Sequence, residues 1–166
     1  MVTDYSIRFI SEQVVVQAGV DELWNAWTTP DGITSFFAPA CNIELRVNGL
    51  YEIFFNPDAE PGSRGADDMR ILAFQPGVML SFTWNTPLDL PNVRQQRTHV
   101  TVRFISLDDK QTLVILTHDG WGDGEEWDQA FAYFARVWKD IVLKRLVHRF
   151  SIGPINWKEP PKLEPA

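Results

Sequence analysis

Three histidines and one cysteine are the chain's entire stock of imidazole and thiol groups among 166 residues, so few positions can carry proton-transfer or metal chemistry. His118 is the most informative. Strand-like alternation places Val114, Leu116 and His118 on one face, while the opposite face begins at polar Gln111 and ends at Asp119, so the imidazole is expected to point inward. A neutral ring there can donate to a ligand carbonyl or act as a base, or it can be a hydrogen-bonded structural group near a helix N-terminus. The same alternation turns Thr98, Val100, Val102 and Phe104 inward, leaving Arg97, His99, Thr101 and Arg103 in solvent. Asp68 and Arg70 share a face with Leu72 and Phe74, which makes them a rim pair, either a salt bridge or a ligand anchor. Glu125, Glu126 and Asp128 resemble an acid cluster, but negative charge in a first helical turn is explained by the helix dipole. Cys41 has no partner for a disulfide and no Cys or His at zinc-ligand spacing. Hydrolase elbows, phosphate loops, dinucleotide fingerprints and His-Glu-x-x-His words are absent from the sequence. No catalytic residue, metal or cofactor is therefore assigned.

What the sequence does supply is rings: seven Trp, 11 Phe and three Tyr. Such a set either packs a core or lines a pocket for a flat apolar ligand. Trp127, Phe131, Phe134, Trp138 and Ile141 recur at helical spacing, so one face of a C-terminal helix is an aromatic stripe. Phe36, Phe37, Trp84 and Trp121 fall near element ends. The expected ligand-binding set is Phe36, Phe37, Arg70, Phe82, Trp84, Leu116, His118, Trp121, Phe134 and Trp138. Its mouth is expected beside His118, Trp84 and Phe37.

The elements that position these residues follow from local chemistry. Tyr5–Ala18 is rich in β-branched residues and ends at Gly19, which predicts a first strand. Asp21 reads as an N-cap for a short helix, Pro30-Asp31-Gly32 breaks it, and a second short helix ends near Phe37. Ile43–Val47 and Leu50–Phe55 flank Asn48-Gly49, a dipeptide suited to a tight hairpin. After a polar loop at Asn56–Asp67, strands are expected at Asp68–Phe74, Val78–Trp84, Arg94–Leu107 and Thr112–Asp119, with a second loop at Asn85–Asn92. Asp123 and Glu126 have capping-box spacing, opening a helix that runs to about Arg149. Residues 1–150 are expected to form one domain, and 151–166 an irregular Pro-containing tail.

Composition limits the partners. Fifteen basic against 22 acidic residues give a net charge of −7, the wrong sign for a broad phosphate-binding surface, so nucleic acid and anionic membrane are not expected. No apolar run approaches the roughly 18–20 residues that cross a bilayer, and the N-terminus lacks a signal-peptide pattern. A cytoplasmic protein, monomeric or homodimeric, is expected.

One strand, two short helices, six further strands and a long helix is the element order of the α+β helix-grip fold of the START-like, or SRPBCC, superfamily, in which a curved antiparallel sheet, here of seven strands, wraps the C-terminal helix. The words Leu23-Trp24-Asn25-Ala26-Trp27-Thr28-Thr29-Pro30, Asn48-Gly49-Leu50-Tyr51, Leu80-Ser81-Phe82-Thr83-Trp84 and Thr117-His118-Asp119-Gly120-Trp121-Gly122 resemble those of the homologues of the heat-shock protein 90 ATPase activator. The resemblance spans about residues 8 to 146. It implies an apolar ligand held between sheet and helix, and the first expectation is a non-catalytic binder of a small apolar or aromatic molecule. Two alternatives stay open: a chaperone-linked interaction module working through the sheet exterior, and a cyclase or hydrolase acting on an aromatic or polyketide-like substrate. An acid–base pair inside the cavity would mark the enzyme, and a ring-filled interior the interaction module.

Overall fold

The computed structural model describes residues 8–163. Seven strands form in the expected order: β1 (Ile10–Val16), β2 (Ala40–Ile43), β3 (Tyr51–Phe54), β4 (Ile71–Gln75), β5 (Met79–Trp84), β6 (Thr98–Asp108) and β7 (Gln111–Asp119). The Tyr5–Ile7 part of the expected first strand lies outside the described residues. Five strands make one antiparallel sheet in the order β1-β7-β6-β5-β4, and β2 and β3 form a separate two-stranded ladder. The expected seven-stranded sheet is thus divided, its two parts linked by an isolated bridge between Leu50 and Arg70 and a few backbone hydrogen bonds beside it.

The division originates at the hairpin. Pairing of β2 with β3 stops at Ile43 and Tyr51, so the turn is longer than a two-residue link. Asn48 takes a left-handed conformation (φ 63°) and donates its N–H to Ile71 O across to the next strand, at 2.7 Å. Gly49 O likewise accepts from Ile71 N–H at 2.9 Å, so part of the turn's backbone bonding goes to β4.

Two short helices follow β1: α1 (Val20–Thr28) and α2 (Pro30–Phe36). The cap of α1 is Gly19, two residues before the expected Asp21, and Glu22 accepts from its N–H at 3.1 Å. Thr29 caps α2, accepting from Gly32 N–H with Pro30 opening the first turn. A one-turn helix, α3 (Pro91–Arg94), interrupts what was expected to be loop and strand.

The long C-terminal helix is continuous but not uniform. It comprises α4 (Glu125–Val137), a π-helical turn at Trp138–Val142, and α5 (Leu143–Ser151). The cap of α4 is Gly124, and the expected box between Asp123 and Glu126 does not form. Glu126 instead accepts from the backbone and side chain of Asn92, latching α3 onto the helix. In the π turn Leu143 N–H reaches back five residues to Trp138 O, which inserts one extra residue and shifts the buried stripe. At its end Val142, and beyond it Leu143 and Leu146, are buried, while Ile141, expected on the stripe, is exposed.

The sheet's concave face and this helix enclose the core. Leu80, Phe82 and Trp84 of β5, Val100, Val102 and Phe104 of β6, and Val114 and Leu116 of β7 pack against Phe134, Trp138, Val142 and Leu146. Burying each large apolar side chain contributes about 1.5–3 kcal/mol relative to exposure. The alternation expected for β6 and β7 is the one observed. That for β4 is not: a bulge between Ile71 and Ala73 buries Ile71 and exposes Leu72, with Phe74 half-buried against Trp24. After α5 the chain is irregular but attached, since Ile155 N–H donates to Ser35 O and Trp157 Nε1 to Thr34 O.

Candidate functional site

His118 sits at the centre of a closed polar chain rather than at an opening. Trp138 Nε1–H donates to its Nδ1 at 2.9 Å. With Nδ1 accepting, the proton is on Nε2, which donates to Thr98 Oγ1 at 2.7 Å. Thr98 in turn donates to Trp84 O at 3.3 Å. The imidazole is fully buried among the rings of Trp121, Phe134 and Trp138. Burial, with a smaller contribution from His99, pushes its pKa down to about 3. It is a neutral link between sheet and helix, with both nitrogens occupied, and it reaches no ligand-accessible space.

The opening lies on the other side of Trp138. A cleft of about 430 Å³ separates the π turn and the adjacent end of α4 from two loops, 56–65 and 85–88. Its apolar wall is Trp84, Phe134, Val137, Trp138 and Val142, with Phe55, Leu88, Tyr133 and Ile141 exposed on its lining. These four exposed apolar side chains gather at one place, which is the arrangement expected of a binding surface rather than of random exposure.

The polar part of the lining is arginine-rich. Arg64 is held by Asp67 at 2.9 Å and stacks over Phe54. Arg94 donates to the carbonyls of Thr86, Gly62 and Gly65, and so ties the two loops together. Asn85 adds a bond to Gly65 O at 2.8 Å. Arg145 stacks over Trp157, and burial lowers its pKa. Thr86 is buried with its Oγ1 unpartnered. Among the described residues no aspartate, glutamate, histidine or cysteine contributes to the lining. Among the described residues no group of three or more His, Cys, Asp and Glu could hold a metal ion.

Of the ten residues expected to bind ligand, the structure brings Trp84, Phe134 and Trp138 to the cleft. Phe36, Phe37, Phe82, Leu116 and His118 are fully buried in the core, because β5, α2 and the helix close over them. The expected mouth beside His118 and Phe37 is therefore closed, and only Trp84 of that trio borders the opening. Trp121 is half-buried over His118 and donates to its carbonyl at 3.0 Å. Arg70 lies outside the cleft, paired with Asp68 at 2.7 Å. His99 is exposed beside Asp119, as its outward register requires. Cys41 is half-buried, its thiol pushed up to about 11 by burial and then by Asp31, so it is a poor nucleophile at neutral pH. Sequence reasoning missed Thr86, Arg94, Tyr133 and Arg145. Only the polar, Pro-containing character of 85–92 hinted that this loop borders a site.

A curved antiparallel sheet gripping a C-terminal helix, with a ring-walled cleft at the helix's middle, defines a helix-grip protein. The family model for Activator of Hsp90 ATPase homolog 1-like protein matches residues 17–151, more than half of the chain, and the chain belongs to that family. No curated protein matches it. Among solved structures it resembles protein MLL2253 from Mesorhizobium loti, with 20% identity and a TM-score of 0.66 over 85% of this chain and 95% of that one. The Aha1 dimer from Colwellia psychrerythraea is similar at 18% identity and a TM-score of 0.66, covering 89% and 98%. CalU16 from Micromonospora echinospora matches at 22% identity and a TM-score of 0.65, covering 89% and 77%. At these identities the likeness shows the fold alone. Among the described residues no helix is long and apolar enough to cross a membrane.

Proposed function

We propose that the protein binds a small apolar or aromatic molecule in the cleft between the π turn and the loops 56–65 and 85–88. The observation that carries this reading is the cleft itself: about 430 Å³, walled by Trp84, Phe134 and Trp138, and edged by exposed Phe55, Leu88, Tyr133 and Ile141. That volume suits a ligand of one to three fused rings or a medium acyl chain. Binding without chemistry is the better reading, because the lining offers no carboxylate, imidazole or thiol among the described residues to serve as base or nucleophile. Native mass spectrometry of freshly purified protein tests it. A co-purified mass lost on denaturation is expected, or, from bare protein, a complex with added naphthalene-type probe. Folded protein that carries nothing and takes up no probe would refute the reading.

A second reading has its own support. On the sheet's outer face Val15, Leu113 and Ile105 stand in register across β1, β7 and β6, with Val15 and Ile105 exposed. Such an apolar row suits contact with a protein, whether a second copy, as in the dimeric Colwellia relative, or a chaperone. The same native spectrum distinguishes the two, because a dimer without bound small molecule would favour the second.

A further inference from the structure

The cleft's charge is unlike that of the rest of the molecule. The chain carries 22 acidic and 15 basic residues, yet among the described residues the lining holds Arg64, Arg94 and Arg145 and no carboxylate. Two of these cations are already committed. Arg64 is neutralised by Asp67, and Arg94 is engaged by three backbone carbonyls. Arg145 differs: among the described residues it stacks on the ring of Trp157, and no carboxylate of theirs is within ion-pairing distance of it.

A second observation points the same way. Thr86 is 1% exposed, it lines this cleft, and its hydroxyl has no hydrogen-bond partner. A buried hydroxyl without a partner is unfavourable, and a ligand acceptor seated against it relieves that cost. An apolar ligand alone would leave both the guanidinium and this hydroxyl unanswered. A guanidinium donates in a planar fork that matches a carboxylate, and it does so most strongly where water is partly excluded. The π turn enters here as well. Its extra residue puts Ile141 at the cleft while leaving Leu143 and Leu146 in the core, and Arg145 lines the cleft one turn beyond Ile141.

Building on the proposed function, we infer that the ligand is an amphiphilic carboxylate: an apolar or aromatic body on Trp84, Phe134 and Trp138, and a carboxylate head bound by Arg145 with Thr86 Oγ1 as a second donor. Guanidinium supplies charge, hydroxyl supplies direction, and the rings supply area. The neutral amide keeps the area and one acceptor oxygen, and loses the charge and the second oxygen of the guanidinium's fork.

Isothermal titration of the full chain with 2-naphthoate and with its neutral isostere 2-naphthamide separates this inference from the reading beneath it. The carboxylate is expected to bind at least about tenfold tighter. Arg145→Met is expected to abolish that preference, Arg145→Lys to restore part of it, and Thr86→Val to weaken both probes several-fold, with naphthamide losing much less than the carboxylate in the two Arg145 variants. The neutral probe thus reports that the cleft is still formed. Equal affinity for the two probes, or a preference that survives Arg145→Met, would overturn the anionic head while leaving the apolar cleft intact as a binding site. Failure of both probes to bind would remove both proposals together.

Discussion

His118 shows how far one side chain can be read in advance. Alternation along β7 sets its direction without ambiguity, because a strand that begins in Val114 and Leu116 must send the next alternate residue inward. What alternation does not contain is the partner: Trp138 is 20 residues away in sequence, and its indole N–H converts a possible base into an acceptor locked in one tautomer. The consequence is measurable. A histidine whose folded pKa is depressed stays neutral in the native state, so the unfolded chain takes up the proton as pH falls below about 6.5. Stability from this group is complete above that pH and lost between about 6.5 and about 3, at up to ~1.4 kcal/mol per unit. Replacing His118 with Phe leaves Trp138 Nε1 unpaired and is expected to cost about 1–3 kcal/mol at pH 7.5. In urea unfolding the gap between parent and His118→Phe should narrow as pH is lowered to 4.5, because only the parent carries the linked proton. A gap independent of pH would show that the ring is not held neutral.

Element by element, the helices and strands were legible wherever local chemistry decides them. The periodicities of β6, β7 and α4 are long enough to average out exceptions, and Pro30 with Thr29 marks the start of α2. Two of the misreadings fall where a single residue is inserted. At β4 the bulge between Ile71 and Ala73 reverses which side of the strand is buried, so Leu72 faces solvent and Arg70 pairs with Asp68 away from the cleft. At the π turn one extra residue displaces Ile141 from the stripe. Neither leaves a mark in composition, since both are set by what packs on each side. The π turn can be tested as an insertion. Deleting Asp140 turns the five-residue reach from Leu143 to Trp138 into an ordinary four-residue helical bond and keeps Leu143 and Leu146 facing the core. The variant is expected to stay folded, with helical circular dichroism and a Tm within several degrees of the parent. Its affinity for 2-naphthoate should fall at least about fivefold as the cleft wall at Ile141 is remodelled. Unchanged affinity would mean that the π turn has no part in shaping the site.

For the molecule as a whole, the family and the helix-grip architecture were readable from ordered words and element order, whereas the site was only partly so. The rings Trp84, Phe134 and Trp138 were found because they are large, regularly placed and near element ends. Thr86, Arg94 and Arg145 were not, because they converge only when two loops fold toward the middle of the helix, a tertiary event with no local periodicity. Trp84 and Trp138 therefore stand at the boundary between core and cleft, and they report directly on whether the cleft is occupied. The seven indole N–H resonances of ¹⁵N-labelled protein, assigned by single substitutions and followed during titration with 2-naphthoate, provide the measurement. Trp84 and Trp138 should shift together in a saturable manner, while Trp24 and Trp27, packed against Phe74 and Phe36 away from the opening, should hold still. Saturable shifts confined to Trp24 or Trp27, or no shift at any indole, would contradict a ligand site in this cleft.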